Sequence, residues 1–315
     1  MRRENGVMKR ALLIAGPTAS GKSTLALALA QQFGATIVNA DSMQVYRDLR
    51  VLTARPTEAE QRLARHELFG AIDGAENFSA GRWLARVKEI MSAGSPAAPI
   101  LFVGGTGLYF RALTQGLSAI PQVPEAVREA TRALAEGETS QALHNSLARL
   151  DPVTAERLRP GDRQRILRAL EVFAATGSPL TSFHGAREAP LLAPDEWAGL
   201  FLAPEREALN LSIDRRFRAM LEAGALDEVA TLSARGLDPA LPVMRAHGVP
   251  HLIAHLNGAL SLEAAAERAK IDTRRYAKRQ FTWARHQMPE FAWVAPEDAL
   301  AIAAQLLEGF HAAIP

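Results

Sequence analysis

Short apolar runs and helical spacings alternate through the first third of the chain. Residues 12–15 are apolar between a basic residue and a glycine turn, the pattern of a strand buried on both faces. Residues 21–33 carry alanine and leucine at helical spacing and stop at Gly34, a residue suited to a left-handed C-terminal cap. Residues 36–40 read as a second strand that closes on Asp41, and residues 79–91 as a helix that Ser79 can cap. Residues 99–103 read as a third strand, which runs into Gly104-Gly105-Thr106-Gly107 and a helix through Leu113. Strands alternating with helices predict a parallel sheet covered on both faces.

The pattern changes after Gly116. Residues 124–189 show helical spacing and no strand. The clearest helix spans 162–176: Asp162 caps it, Gly177 ends it, and Ile166, Ala169, Leu170 and Phe173 form one apolar stripe. Residues 197–202 read as a strand returning to the sheet. Helices follow to Gln287, then a short strand at 291–294 and a last helix.

Composition narrows the function classes. The 315 residues are 48% hydrophobic and 22% charged, ordinary values for a soluble globular protein. No run approaches the roughly 18 apolar residues of a membrane span. The opening Met-Arg-Arg-Glu-Asn-Gly leads into an apolar run too short for a signal sequence. The absence of cysteine removes disulfides, thiol nucleophiles and cysteine–zinc sites, and makes a cytoplasmic location the expectation. A net charge of +2 is too small to argue for a nucleic-acid partner, so local clusters have to carry that question.

Gly16-Pro17-Thr18-Ala19-Ser20-Gly21-Lys22-Ser23 fits G-x-x-x-x-G-K-[ST] without a mismatch, between a predicted strand and a predicted helix. The glycines let backbone N–H groups curl round an anion, and the helix N-terminus adds partial positive charge. Lys22 brings a mobile point charge, and the Ser23 hydroxyl suits Mg2+. The loop implies a diphosphate or triphosphate, not hydrolysis of a nucleotide. A hydrolase of this type also needs an acid at the end of a later strand, and here that strand ends in Gly104-Gly105-Thr106. The acid at a strand end is Asp41, which alone is compatible with capping a turn as well as with chemistry. The predicted fold is α/β, a P-loop NTPase-like parallel sheet core with an all-helical insertion. Residues 1–118 and 197–315 form the core and C-terminal helices; residues 119–196 form the insertion.

Basic residues cluster on two predicted helices. Arg163, Arg165 and Arg168 lie away from Ile166 and Phe173. Farther on, Arg275, Lys278, Thr282 and Arg285 share one face, and Ala277, Phe281, Ala284 and Met288 another. Such faces, like the Arg215-Arg216 pair, suit solvent as well as phosphate.

Taken in chain order, the motifs resemble the tRNA dimethylallyltransferase (isopentenyl-diphosphate transferase) family. They are Gly16 to Ser23 with Thr24; Asp41-Ser42 with Gln44 and Tyr46; Thr53-Ala54-Arg55-Pro56; Gly104-Gly105-Thr106-Gly107-Leu108-Tyr109; Gln164-Arg165 with Arg168-Ala169-Leu170-Glu171-Val172; and Lys278-Arg279-Gln280 with Thr282-Trp283. They cover about residues 10–290. The sequence departs from the family pattern at Leu52, where glycine is usual, at Arg55, where lysine is usual, and at Gly248-Val249-Pro250, where a Gly-Tyr-Lys-like segment is usual. The cysteine–zinc finger of some eukaryotic members is absent.

The resemblance implies transfer of a dimethylallyl group from dimethylallyl diphosphate to the exocyclic amine of the adenosine just 3′ of the anticodon. It implies Asp41 as the base, with Lys22 and the Thr106 hydroxyl at the leaving diphosphate. The diphosphate would rest on Gly16, Pro17, Thr18, Ala19, Ser20, Gly21, Lys22, Ser23 and Thr24, with Arg215 as an added clamp and Mg2+ on Ser23. The tRNA would touch Asp41, Ser42, Met43, Gln44 and Thr106, then Arg128, Gln164, Arg165, Ile166, Leu167 and Arg168, and finally Lys278 and Gln280. The insertion would grip the anticodon stem-loop, with the target base extruded into the core. Neither a membrane nor a protein partner is expected. A relative that prenylates free AMP, ADP or ATP is disfavoured by the long insertion and the Lys278–Trp283 segment. A small-molecule P-loop kinase leaves Gly104 to Tyr109 and the basic helices unexplained. The acid at the strand end argues against a P-loop module without catalytic activity.

Overall fold

The computed structural model describes residues 11–93, 98–183, 185 and 187–311. The opening hexapeptide lies outside these residues. The elements run β1 (Ala11–Ala15), α1 (Lys22–Phe33), β2 (Thr36–Asn39), α2 (Glu58–Leu63), β3 (His66–Glu67), α3 (Ala80–Ala93), β4 (Ile100–Gly104) and α4 (Gly107–Gln115). Four helices follow: α5 (Glu125–Leu134), α6 (Ser140–Leu150), α7 (Pro152–Arg157) and α8 (Arg163–Thr176). The chain then returns through β5 (Trp197–Leu202), α9 (Arg206–Glu222), α10 (Ala225–Ala234), α11 (Val249–Leu256), α12 (Leu262–Gln287), β6 (Ala292–Val294) and α13 (Ala299–His311).

Six parallel strands form one sheet in the order β3-β2-β4-β1-β5-β6. Successive residues of β1 point to opposite faces, as strand geometry requires. Leu13 enters one core, with Trp83, Phe102 and Phe110. Leu12 and Ile14 enter the other, with Leu25, Leu29 and Leu101. Burial on both faces explains why the strands read as continuous apolar runs. The two-residue strand β3 has no sequence signal, because two residues cannot display a period.

The chain divides into two compact units, residues 1–114 with 191–315, and residues 115–190. The smaller unit holds the helical stretch, with its own core around Leu143, Leu147, Ala155, Ile166 and Ala169. The side chain of Asp162 caps α8, and Gly177 ends it in the left-handed conformation. Its buried side carries Ile166, Ala169, Glu171 and Val172, so the stripe runs through Val172, while Phe173 is half-buried. No helix among the described residues is long and apolar enough to cross a membrane.

Candidate functional site

Three strand ends of the larger unit supply the polar residues. After β1, the loop turns with Ala19 at φ 64° and Gly21 at φ 90°. Left-handed residues within a turn roll backbone N–H groups toward a common centre, which suits an anion. Gln280, on α12, fixes this loop. Its Oε1 accepts the Thr18 N–H at 3.0 Å, and its Nε2 donates to the Gly105 carbonyl at 3.0 Å. One buried amide thus ties the phosphate loop to the end of β4. A Cβ at Gly105 would collide with that amide, so a side chain there would have to displace Gln280 from the loop.

Asp41 follows β2 and is held by its neighbour. The buried Asn39 side chain accepts the Asp41 N–H at 2.8 Å and donates to the Asp41 carbonyl at 2.9 Å. Its Nδ2 also donates to the Leu68 carbonyl at 3.0 Å. The carboxylate accepts the Met43 N–H at 2.9 Å through Oδ1. Thr106 is drawn beside this turn. Its N–H donates to the Ala40 carbonyl at 3.1 Å, and its hydroxyl accepts the Ser42 N–H at 3.0 Å. The Tyr276 hydroxyl bonds Thr106 in turn. A side chain at Gly104 would collide with the Ala40 carbonyl, so that glycine permits the close approach of the two strand ends.

Two adjoining cavities open here. The larger, 610 Å³, is lined by the phosphate loop from Thr18 to Thr24, with Gln44, Arg50, Arg55 and Arg216. The smaller, 210 Å³, is mainly apolar, with Met43, Leu52, Ile213, Phe217, Met220 and Ala246, and carries Tyr276 and His247 at its polar side. Thr18, Ala19, Asp41, Thr53, Arg216 and Met220 line both. A carboxylate therefore sits where a space lined by the glycine-rich loop and basic side chains meets an apolar one.

The charges interact strongly because they are poorly solvated. Burial pulls the Lys22 ammonium down to about 7; Asp41 opposes the shift and Arg216 adds to it. Lys22 Nζ donates to the Pro17 carbonyl at 2.5 Å. Burial lowers Arg216 too, again opposed by Asp41. Tyr276 is raised, first by burial and then by the Asp41 charge. His247 is lowered by burial and by Arg279, which favours a neutral imidazole.

The structure brings most of the sequence candidates together and redirects several. Lys22, Ser23, Thr24, Asp41 and Gln44 face the larger cavity, and Ser42 and Met43 the smaller. Arg215, expected to clamp the diphosphate, is exposed and lines neither cavity; Arg216 lines both. The buried stripe of α9 is Leu209, Ile213 and Phe217, which puts position 216 beside the stripe and 215 off it. That phase was available in the sequence. Gln280, grouped with the tRNA contacts, has both amide atoms on backbone groups and is buried, while Lys278 is exposed. Asn39, Tyr276 and His247 were missed. An asparagine inside an apolar strand is a local signal for the first; the other two have none.

In the smaller unit, Gln164 and Arg165 are exposed. Ile166 is fully buried and Leu167 packs against the same core, so the Ile166 side chain cannot reach a ligand. Arg163 donates to the Ala135 and Glu138 carbonyls at 2.6 and 2.7 Å, which ties α8 to the end of α5. Arg128, Arg132 and Arg168 converge on the buried Glu171 carboxylate at 4.0, 3.1 and 3.8 Å.

Comparison with known proteins gives a consistent result. Residues 44–287 match the family described as IPP transferase, and residues 9–70 match isopentenyl transferase. A tRNA dimethylallyltransferase of Beijerinckia indica is 61% identical over 291 residues, covering 92% of this chain and 96% of that one. The crystal structure of a tRNA isopentenylpyrophosphate transferase from Bacillus halodurans is similar at TM-score 0.66 and 30% identity, covering 97% of this chain and 98% of that one. A eukaryotic dimethylallyltransferase solved acting on tRNA is similar at TM-score 0.77 and 26% identity, covering 96% and 80%.

Proposed function

The chain belongs to the tRNA dimethylallyltransferase family, and from that premise we propose how its residues perform the reaction. The enzyme transfers the dimethylallyl group of dimethylallyl diphosphate to the exocyclic N6 amine of the adenosine 3′-adjacent to the anticodon in tRNA, and diphosphate leaves. The observation that carries the residue assignment is the position of Asp41 on both cavities.

In this reading, the donor's diphosphate rests on the phosphate loop in the larger cavity, and its five-carbon chain enters the apolar smaller one. The adenine amine is a weak nucleophile, because its lone pair is delocalised into the ring. As the N6–C1 bond forms, the C1–oxygen bond breaks and its electron pair departs with the diphosphate. The Asp41 carboxylate takes the amine proton. Loop N–H groups, Lys22 and Arg216 stabilise the charge that develops on the leaving oxygens, and they are in place before the reaction begins. Asn39 aims Asp41 by holding both its backbone groups. Thr106 supports the same turn and would reach the bridging oxygen of the donor.

Mg2+ fits this site only with help from the donor. Ser23 lines the larger cavity, and no cluster of three or more carboxylate or imidazole groups occurs among the described residues. Mg2+ commonly uses few protein ligands together with substrate phosphates. Ser23 would hold it, and when bound the ion would offset charge on the departing diphosphate.

Gln164, Arg165, Arg128 and Arg168 of the insertion, with Lys278 of the core, are the assigned contacts to the anticodon stem-loop. Guanidinium groups suit RNA phosphates and unstacked bases. A cysteine-free enzyme acting on tRNA is placed in the cytoplasm by this reading. Labelled dimethylallyl diphosphate offered with tRNA or with AMP tests the acceptor: label should enter tRNA alone, and equal transfer to AMP would remove the polynucleotide requirement.

A further inference from the structure

Leu52 and Thr53, in the loop of residues 48–55, line the smaller cavity, and α10 holds this loop. Glu228 accepts three consecutive backbone N–H groups, those of Arg50, Val51 and Leu52, the last two at 2.9 Å. Arg235, just past the other end of α10, pairs with Asp48. Within the loop, the Thr53 hydroxyl donates to the Leu49 carbonyl at 2.6 Å. With the backbone pinned at Leu52 itself, its side chain has little freedom to withdraw.

That side chain is 7% exposed and faces the smaller cavity. It packs where Phe217 meets Gly248. A Cβ on Gly248 would lie 3.2 Å from both Leu52 Cδ1 and Phe217 Cε2, and Gly248 also has φ +97°. Position 52, which departs from the family pattern, thus lies beside Gly248, where the glycine of that pattern is kept.

We propose that Leu52 sets the chain length of the prenyl donor, admitting the five-carbon dimethylallyl group and excluding its ten-carbon homologue. This rests on the placement of the dimethylallyl group in the smaller cavity. Shortening Leu52 removes wall atoms from a cavity whose loop backbone is held by Glu228, which frees room along the ligand. A difference of one methylene in an apolar pocket changes discrimination by roughly tenfold or more.

The test is kcat/KM for transfer to tRNA from dimethylallyl diphosphate and from geranyl diphosphate, in the wild type, Leu52→Val and Leu52→Ala. Melting curves and affinity for inorganic diphosphate are measured alongside. The ratio of geranyl to dimethylallyl transfer should rise in the order wild type, Val, Ala, by roughly tenfold or more at Ala. If Leu52→Ala does not fold, the smaller step at Leu52→Val decides. Ile213→Phe, which fills a wall of the smaller cavity alone, separates the two ways of failing. If it raises KM for dimethylallyl diphosphate while the Leu52 series keeps the wild-type ratio, the donor lies in this cavity but Leu52 does not set its length. If it leaves that KM unchanged, the placement itself is wrong and the chain-length proposal falls with it.

Discussion

The polar residues of the core and those of the helical insertion are built in opposite ways. In the core, Asp41, Thr106 and the phosphate loop are held through hydrogen bonds with Asn39, Ser42 and Gln280, and burial desolvates the Lys22 and Arg216 charges beside them. In the insertion, Gln164 and Arg165 project into solvent, and Arg128, Arg132 and Arg168 gather round one buried carboxylate. The difference follows from the tasks. Bond making needs donors and acceptors fixed before charge develops. Gripping a flexible polyanion needs accessible charge, and the number of charges matters more than their exact placement. Loss of one core residue should therefore reduce rate, and loss of one insertion residue should reduce affinity.

The largest expected effect is at Asp41. Asp41→Asn keeps the size and part of the hydrogen bonding, but an amide does not accept the amine proton at neutral pH. Single-turnover transfer should fall by roughly a hundredfold to ten-thousandfold, the usual contribution of a general base. A normal rate would show that the proton leaves to water. Lys22→Ala should follow, with a loss of about 2–4 kcal/mol in transition-state stabilisation, the scale of a lost oxyanion donor. Its tRNA affinity should be little changed. Turnover like the wild type would detach the loop from the prenyl donor.

Much of this core was legible in the sequence, and the reasons are local. A strand, a glycine loop and a helix N-terminus are contiguous, so Gly16 to Ser23 announce their own geometry. Asp41 and Thr106 follow short apolar runs bounded by turn residues, which read as strands. The partners that hold them are another matter. Gln280 reaches Thr18 across 262 positions, and nothing near Gln280 indicates which backbone it will meet. The three arginines around Glu171 come from two helices, and a glutamate inside a basic run reads as a surface residue until α5 and α8 are packed. Arg215 and Arg216 are adjacent and equally basic, and it is the buried stripe of α9, Leu209, Ile213 and Phe217, that distinguishes them.

A smaller effect concerns pH. Lys22 is depressed to about 7, and an anion bound against it favours the charged form. Below pH 7 the lysine is already protonated. Above pH 7, binding must take up a proton, so the contribution of Lys22 to affinity should decline as pH rises. Inorganic diphosphate itself titrates, so the measured quantity is the ratio of wild-type to Lys22→Met affinity. It should be flat below pH 7 and fall above it, by at most tenfold per unit. A ratio constant from pH 6 to 9 would mean that Lys22 stays charged in the free enzyme.

The smallest effect is expected in the insertion. Arg168→Ala should weaken tRNA binding and reduce the salt dependence by about one counterion, if its guanidinium lies on a phosphate. Affinity for the donor should not move. Unchanged tRNA affinity at two salt concentrations would leave Arg168 as a partner of Glu171 only.

The separation of rate from grip is tested most directly by Asp41→Asn, Arg168→Ala and the double variant together. For each, single-turnover rate at saturating tRNA and donor, tRNA affinity and a melting curve are measured. The predicted double variant has the rate of Asp41→Asn, and its loss of affinity is the sum of the two single losses in free energy. Arg168→Ala alone should reach the wild-type rate once tRNA saturates. A slow Arg168→Ala at saturation, in a protein that melts normally, would contradict the account, because the insertion would then take part in the chemical step.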